Sequence, residues 1–301
     1  MYSPIYLSVV ISTYNEGQYL KESINSILKQ TYPYFELIIV NDGSTDNTSQ
    51  LLSTFNDNRI RVINKVNTGL PNSLNIGIET AKFDWIARMD GDDIALPNRF
   101  EDQVKLIKKG YDIIGGQFYT IDEFGDCTES VISRNPISLL SSKMFVFLGW
   151  NPLAHPTAVF RKGLIKEFGG YDENFIASQD LELWLRVSHK AKIINCKEAV
   201  LKYRNHKGNI SNSKKCIQQN FGFLAFVKNA LMIRKPLTTE QFSKLICERY
   251  ISSCLENNNR FLELIHHVKN GRTPVMLLYY LWRTCVFVKL RIWRHRFFKF
   301  T

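Results

Sequence analysis

Three carboxylates crowd four positions in the run Met89-Asp90-Gly91-Asp92-Asp93, at the end of an apolar stretch. Like charges this close repel one another, and the arrangement persists where a hard divalent cation neutralises it. Mg2+ or Mn2+ held by one or two carboxylates keeps coordination positions open for phosphate oxygens, so the loop has the chemistry of a diphosphate-binding device. The plain alternative is an acidic turn capping a helix that begins at Pro97; the place of the run after a buried strand weighs against it. Two further polar clusters also follow apolar runs: Thr13-Tyr14-Asn15-Glu16, and 41–46, which contains Asp42. A fourth carboxylate, Asp180, opens a segment in which Leu181, Trp184, Leu185 and Val187 have the spacing of a helix with one buried face. Helix capping is the local role of an aspartate there.

The elements that must hold these residues follow from periodicity. Over the first 120 residues, strands are expected at 7–12, 35–40, 61–64, 85–89 and 113–119, and helices at 19–30, 46–55, 73–81 and 98–109. Continuous runs such as LSVVIS and FELIIV are those of strands buried on both faces. A βαβαβ unit with right-handed crossovers accounts for this order and defines an α/β class. Pro97 suits the first turn of a helix and Gly110 its C-terminal cap, while NDGSTDN at 41–47 joins turn chemistry to an N-cap. Ligands collect at the carboxyl ends of strands in such sheets, and all three polar clusters fall there. A mixed region follows from about 115 to 213, with a turn at 122–125 and helices near 136–148 and 180–189. From Lys214 onward the pattern is helical, broken at Pro236, Gly271 and Pro274.

The 301 residues are 45% hydrophobic and 22% charged, which excludes a disordered chain, a collagen and a disulfide miniprotein. Cys127, Cys196, Cys216, Cys247, Cys254 and Cys285 show no metal-ligand spacing and read as reduced thiols in a cytosolic compartment. The net charge is +11, and seven basic residues with no acidic one lie in 271–301, so the other 270 residues carry +4. The excess belongs to the tail, where VMLLYYLWRTCVFVKLRIWRHRFFKF interleaves aromatics with Lys and Arg. Such a helix suits an anionic membrane surface. Basic-aromatic interleaving also binds single-stranded nucleic acid, but no nucleic-acid-binding fold accompanies it, and nucleic acid is not expected as a partner. A solvated or packed basic helix is the alternative. The N-terminal run MYSPIYLSVVIS lacks a basic leader and reads as a first strand, not a signal peptide. No window reaches the length of a spanning helix, because Arg283, Lys289 and Arg291 interrupt the best candidate.

VVISTYNEGQYLKESINSILKQTYPYFELIIVNDGSTDNT, then GLPNSLNIGIETAKFDWIARMDGDDIALPNRFEDQ, then HPTAVFRKGLIKEFGGYDENFIASQDLELWLR, resemble the inverting family-2 glycosyltransferases of bacterial capsule, lipopolysaccharide and exopolysaccharide assembly. The resemblance spans about residues 5–210. It implies the GT-A fold, a Rossmann-like and mostly parallel sheet flanked by helices, here with a C-terminal helical extension. A nucleotide-binding half at 1–115, an acceptor-binding half at 116–213 and a helical region with a membrane-associating tail at 214–301 are the expected divisions. The implied reaction moves a hexosyl or N-acetylhexosaminyl group from a nucleotide sugar, a UDP-sugar by this resemblance, to a hydroxyl of a lipid-linked or cell-surface oligosaccharide. A cytoplasmic enzyme peripheral to the inner face of the membrane suits that acceptor.

The resemblance places the metal motif on Asp92, the main ligand, and Asp90, with Gly91 between them and Mg2+ or Mn2+ as cofactor. Tyr14 is implied to stack on the nucleobase and Asp42 to accept the uracil N3–H, with Thr13, Asn15 and Glu16 lining the same pocket. Asp180 is the implied general base, Gln179 and His155 lie on the acceptor side, and Arg204 or His206 is expected at the diphosphate. A helix N-terminus at Asp180 would favour its ionised form. Many members carry ARNxG where this chain has Leu74-Asn75-Ile76-Gly77. Arg88 is the substitute for the missing arginine, or else an ion-pair partner of the acidic run itself. A sugar-1-phosphate nucleotidylyltransferase is the alternative on a similar sheet, although STYNEGQYL lacks the glycine-rich basic loop it needs. A non-catalytic membrane adaptor with a vestigial nucleotide site is the alternative from another class.

Overall fold

The computed structural model describes residues 3–129, 138 and 151–209, and singly 218, 221, 222, 224, 225, 228, 236 and 238. The helix expected near 136–148 (position 138 apart), most of the helical region from 214 and the tail 271–301 lie outside the described residues.

The chain runs β1 (Leu7–Thr13), α1 (Gly17–Leu28), β2 (Phe35–Asp42), α2 (Thr48–Leu52), β3 (Ile60–Lys65), α3 (Leu70–Thr80), β4 (Trp85–Asp90), β5 (Ile94–Ala95), α4 (Arg99–Lys108), β6 (Ile113–Ile121) and β7 (Cys127–Glu129). After a 3-10 turn (His155–Thr157) come β8 (Val159–Arg161), α5 (Lys162–Glu167), α6 (Gln179–Val187) and β9 (Ile193–Arg204). The strands form one sheet in the order β3-β2-β1-β4-β8-β6-β9-β5, with β7 beside β6. The βαβαβ expectation holds for the first ninety residues, where β3, β2, β1 and β4 are parallel. The other half is mixed: β8 is antiparallel to both β4 and β6, whereas β6 and β9 are parallel. Position 115 falls inside β6, so a single sheet runs through both expected halves.

Both faces of the sheet are covered, which is why its strands are uninterrupted apolar runs. Val10, Ile38, Val40 and Ile86 pack toward Leu74 and Ile78 of α3 and Trp184 of α6. Their neighbours Val9, Ile11, Leu37 and Ile39 point the other way, toward Leu20 and Ile24 of α1 and Phe100 and Val104 of α4. Gly110 ends α4 as expected, in the left-handed region (φ 83°), its N–H reaching the Ile107 carbonyl at 2.9 Å. Two local expectations are corrected. Pro97 stands before the Asn98 N-cap rather than in the first turn, because the preceding Leu96 N–H still bonds the Val200 carbonyl of β9. Helix α2 is only five residues long, since Asp46 stays outside it and accepts from the Gly17 and Thr48 N–H groups. No helix among the described residues is long and apolar enough to cross a membrane.

At Gly77, α3 lies close against β1, where an added Cβ would run into the Val10 side chain. Gly77→Ala should therefore cost about 1–3 kcal/mol through overpacking, more than any gain in helix propensity returns. A lowered urea midpoint checks this, and an unchanged midpoint would show that the helix can shift away without penalty.

Candidate active site

Strands β2, β1 and β4 are neighbours in register, with Thr13 opposite Asn41 and Ser12 opposite Asp90, so their carboxyl ends bring the three polar clusters together. At the end of β4, one oxygen from each of Asp90, Asp92 and Asp93 lies within 4.8 Å of the others. Arg88 leaves the same strand and grips Asp90 through both terminal nitrogens, one of them 2.8 Å from Oδ2. This is the ion-pair alternative, and the Arg88 side chain is 3% exposed. Asp93 is fully buried; its Oδ1 accepts the Arg204 N–H at 2.9 Å, while its Oδ2 has no partner. Glu16 turns in from the β1–α1 junction with a second orphaned oxygen, Oε2, occupying the space a Cβ at Gly91 would need.

Burial pushes Glu16 and Asp93 well above the ordinary carboxylate range, and the charges of Asp92 and Asp90 push them further. Asp90 is also raised by burial, against the pull of Arg88. Three clustered carboxylates, one with an orphaned buried oxygen, and Glu16 Oε2 beside them are the donor set a hard divalent cation would satisfy, so the residues present fit one.

His206 was expected at the diphosphate; its Nε2 lies 2.9 Å from Asp92 Oδ2, which puts an imidazole donor in the same group. A His in a polar turn gives no sequence signal for this, because β9 must first carry it 114 positions back to Asp92. Arg204, also expected there, is 1% exposed and spent within the protein. Its Nε reaches the Asp92 carbonyl at 2.8 Å and its Nη1 the carbonyls of Asp122 and Glu123 at 3.2 Å. Its Nη2 pairs with Glu22 at 2.6 Å, and its guanidinium lies over the Tyr19 ring. Arg204 therefore fixes the backbone of the acidic loop.

In the neighbouring cluster Tyr14 is 47% exposed and offers an open ring face, while Thr13 is buried, its hydroxyl toward the Glu16 carboxyl. Asn15 adopts a left-handed conformation (φ 57°) and braces the β2–α2 loop, accepting at Oδ1 from the Thr45 N–H at 2.8 Å. Asp42 is buried, which raises its carboxyl, but Lys65 and the N–H groups of Thr68 and Gly69 more than offset this and hold it below its ordinary value. Lys65, at the end of β3, had no motif to betray it; its position follows from the register that sets it opposite Asp42.

Ser178 stands at the N-cap position of α6 in a left-handed conformation (φ 52°), with no side-chain hydrogen bond to the helix, and Asp180 stands in the first turn. Its Oδ2 accepts from Asn151 Nδ2 at 2.5 Å. Burial pushes the Asp180 carboxyl up despite hydrogen bonds from the Leu181 N–H and Asn151, so desolvation outweighs the expected stabilisation of the ionised form. Its charge in turn pushes Asp90 upward, which puts the two within electrostatic reach. Gln179 beside it is buried. His155 is buried too, its Nε2 2.8 Å from the Tyr171 hydroxyl and its ring against Trp184.

An α/β sheet that gathers an acidic cluster at its strand ends, with Asp180 within electrostatic reach, is given its class by comparison with known proteins. The family model described as "Glycosyl transferase family 2" matches residues 8–169, and the chain belongs to that family. It is 32% identical over 294 residues to an uncharacterized glycosyltransferase of Haemophilus influenzae, covering 91% of this chain and 84% of that one. It is 33% identical over 214 residues to the O-antigen biosynthesis glycosyltransferase WbnJ of Escherichia coli, covering 69% of this chain and 82% of the relative. The fold is that of S. aureus TarS residues 1–349, solved in complex with UDP-GlcNAc, with a TM-score of 0.59 at 20% identity over 84% of this chain and 74% of that one. The protein is a glycosyltransferase of GT-A fold.

Burial, with the Arg88 charge added, holds the His155 imidazole well below its ordinary value, so the folded protein keeps it neutral. The unfolded chain takes up a proton at about pH 6.5 and the folded one does not, so stability is lost as pH falls below that value. Urea midpoints at pH 7.5 and 5.5 should show this loss in the native protein and a smaller one in His155→Gln. Equal losses would place the pH dependence elsewhere.

Proposed function

We propose that the protein moves a sugar with inversion from a UDP-sugar to a hydroxyl of a lipid-linked or cell-surface oligosaccharide. The observation that carries this is the three-carboxylate cluster at the end of β4, with Asp180 within electrostatic reach of Asp90. Inverting transfer needs one carboxylate to take the acceptor hydroxyl's proton as its oxygen attacks the anomeric carbon from the face opposite the leaving diphosphate. Asp180 is that base, and its desolvation makes it a stronger proton acceptor than an exposed aspartate. Asn151 and the Leu181 N–H hold the carboxylate in place. Tyr14 stacks on the uracil, and ionised Asp42 accepts its N3–H. A divalent cation, Mg2+ or Mn2+, held by Asp92 and Asp90 with His206 within reach, would offset the charge developing on the departing nucleoside diphosphate.

The UDP-GlcNAc complex of S. aureus TarS supports the UDP donor, and the O-antigen role in WbnJ's name supports a surface-glycan acceptor. We assign a nucleotide-binding half at 1–115 and an acceptor-binding half at 116–213, the second shaping the acceptor side. The basic aromatic tail 271–301 is assigned to the anionic inner face of the cytoplasmic membrane.

A screen of nucleotide sugars with Mn2+, read by thermal stabilisation and nucleotide release, should select a UDP-sugar. Release of pyrophosphate from nucleoside triphosphate and sugar phosphate would instead make the protein a nucleotidylyltransferase. Asp180→Asn should lower kcat by about 10²–10⁴-fold while UDP affinity in Mn2+ stays unchanged; retained turnover would remove Asp180 as the base. Deleting 271–301 should release the protein from phosphatidylserine-containing liposomes while sparing turnover on a soluble acceptor. Binding that survives the deletion would sink the anchor.

A further inference from the structure

Helix α6 carries Asp180 in its first turn, yet what holds this helix comes from far along the chain. Glu182 and Arg186, one turn apart on its buried face, pair twice, with Arg186 Nε 2.8 Å from Glu182 Oε1 and Nη2 2.7 Å from Oε2. Lys228 inserts its ammonium between Glu182 Oε1 and Asp172 Oδ2, at 2.6 Å from each, and lies over the Phe175 ring. Arg186 also donates to the carbonyls of Phe168 and Gly170. All four charged side chains are at most 1% exposed. Two cations and two carboxylates make the quartet neutral, the condition under which charges are tolerated in a protein interior.

The quartet spans three pieces of chain. Glu182 and Arg186 belong to α6, Asp172 to the loop that precedes it, and Lys228 to a stretch whose described residues from 218 to 228 are helical. The same stretch touches the start of α6 a second time, where Ser178 Oγ donates to the Gln218 carbonyl at 2.8 Å. Ser178 has no side-chain hydrogen bond to its own helix. The residue that would cap α6 is thus turned outward to this stretch. Phe221 meets Phe175 edge to face, and Ala225 is buried in the same core. The helix is therefore held at its entry by Ser178 and along its face by Glu182, from one distant segment. That segment lies beyond the 8–169 covered by the family model.

We propose that Lys228 is a positioning residue for the transfer reaction: it bolts the 218–228 stretch to α6 and so sets the place of Asp180. It touches none of the reacting groups. The consequence for function rests on Asp180 being the base, whereas the mechanical consequence does not. A residue that acts in this way changes how well the base is aimed and leaves the donor pocket on β1, β2 and β4 untouched.

The test uses the full chain with Lys228→Met and, because that change leaves one buried carboxylate uncompensated, the charge-balanced pair Lys228→Met with Asp172→Asn. Amide hydrogen exchange followed by mass spectrometry reads the mechanical part without any substrate. In the charge-balanced variant, peptides covering 178–187 should exchange at least 10-fold faster, while those from β1 and β4 keep their protection. UDP-GlcNAc hydrolysis with Mn2+ reads the catalytic part: kcat should fall at least 10-fold, UDP affinity should change less than 2-fold, and Lys228→Arg should restore most of the rate. Unchanged exchange at 178–187 overturns the proposal whatever the activity. Parallel losses of kcat and UDP affinity overturn it as well, since they mark a general structural role. If Asp180→Asn keeps full turnover while exchange at 178–187 still rises, the base assignment has failed and the bolt stands.

Discussion

A buried guanidinium in a field of buried carboxylates is the interaction on which the site depends. Arg88 emerges from β4 two positions before Asp90, grips it, and acts electrostatically on Glu16, Asp93 and Asp180. Without that charge, the acidic residues gathered at the end of β4 would face burial and one another unaided, and isolated buried carboxylates neutralise rather than stay charged. Even with it, Glu16 and Asp93 are pushed well up and keep an orphaned oxygen each. The site is thus short of positive charge, a state that a divalent cation relieves. Arg99 behind it carries the strain further: burial brings its guanidinium down to about 9, and its Nη2 supports the Arg88 carbonyl at 2.6 Å.

The sheet converts this local electrostatics into a two-sided site. Parallel pairing of β2, β1 and β4 collects three loops at one edge without any of them needing to be long. The antiparallel insertion of β8 beside β4 then brings the His155–Thr157 turn alongside the same strand, with the Arg88 N–H bonded to the Ala158 carbonyl at 2.8 Å. From the far end, β9 returns Arg204 and His206 to the acidic loop, and α6 presents Asp180. The strand-end clusters and Asp180 are therefore mounted on different parts of one fold, and the Arg88 charge acts on both.

The parallel half of the fold was legible because its signals are local: apolar runs of strand length, a glycine after α4 and polar residues at each strand end. DGDD and the helix of Asp180 were legible for the same reason, and the family resemblance joined them. Long-range closure was not legible. Lys65 reaches Asp42 only through the β2–β3 register, His206 reaches Asp92 only through β9, and Asn151 meets Asp180 from a turn with no periodicity. Arg204 is expected at the diphosphate because nothing in YRNHKGN shows that β9 buries its side chain against five partners' atoms in the acidic loop and its surroundings. β5 escaped for a related reason, since a two-residue strand carries too few residues to display a period.

The central claim is that the acidic cluster is a cation site that also holds the diphosphate, so its direct test is anomalous diffraction from crystals grown with Mn2+ and UDP. The account predicts an anomalous peak among Asp90, Asp92 and His206, with phosphate oxygens completing the coordination and the uracil between Tyr14 and Asp42. UDP bound there with no metal beside Asp92, or Mn2+ found only elsewhere, would contradict it.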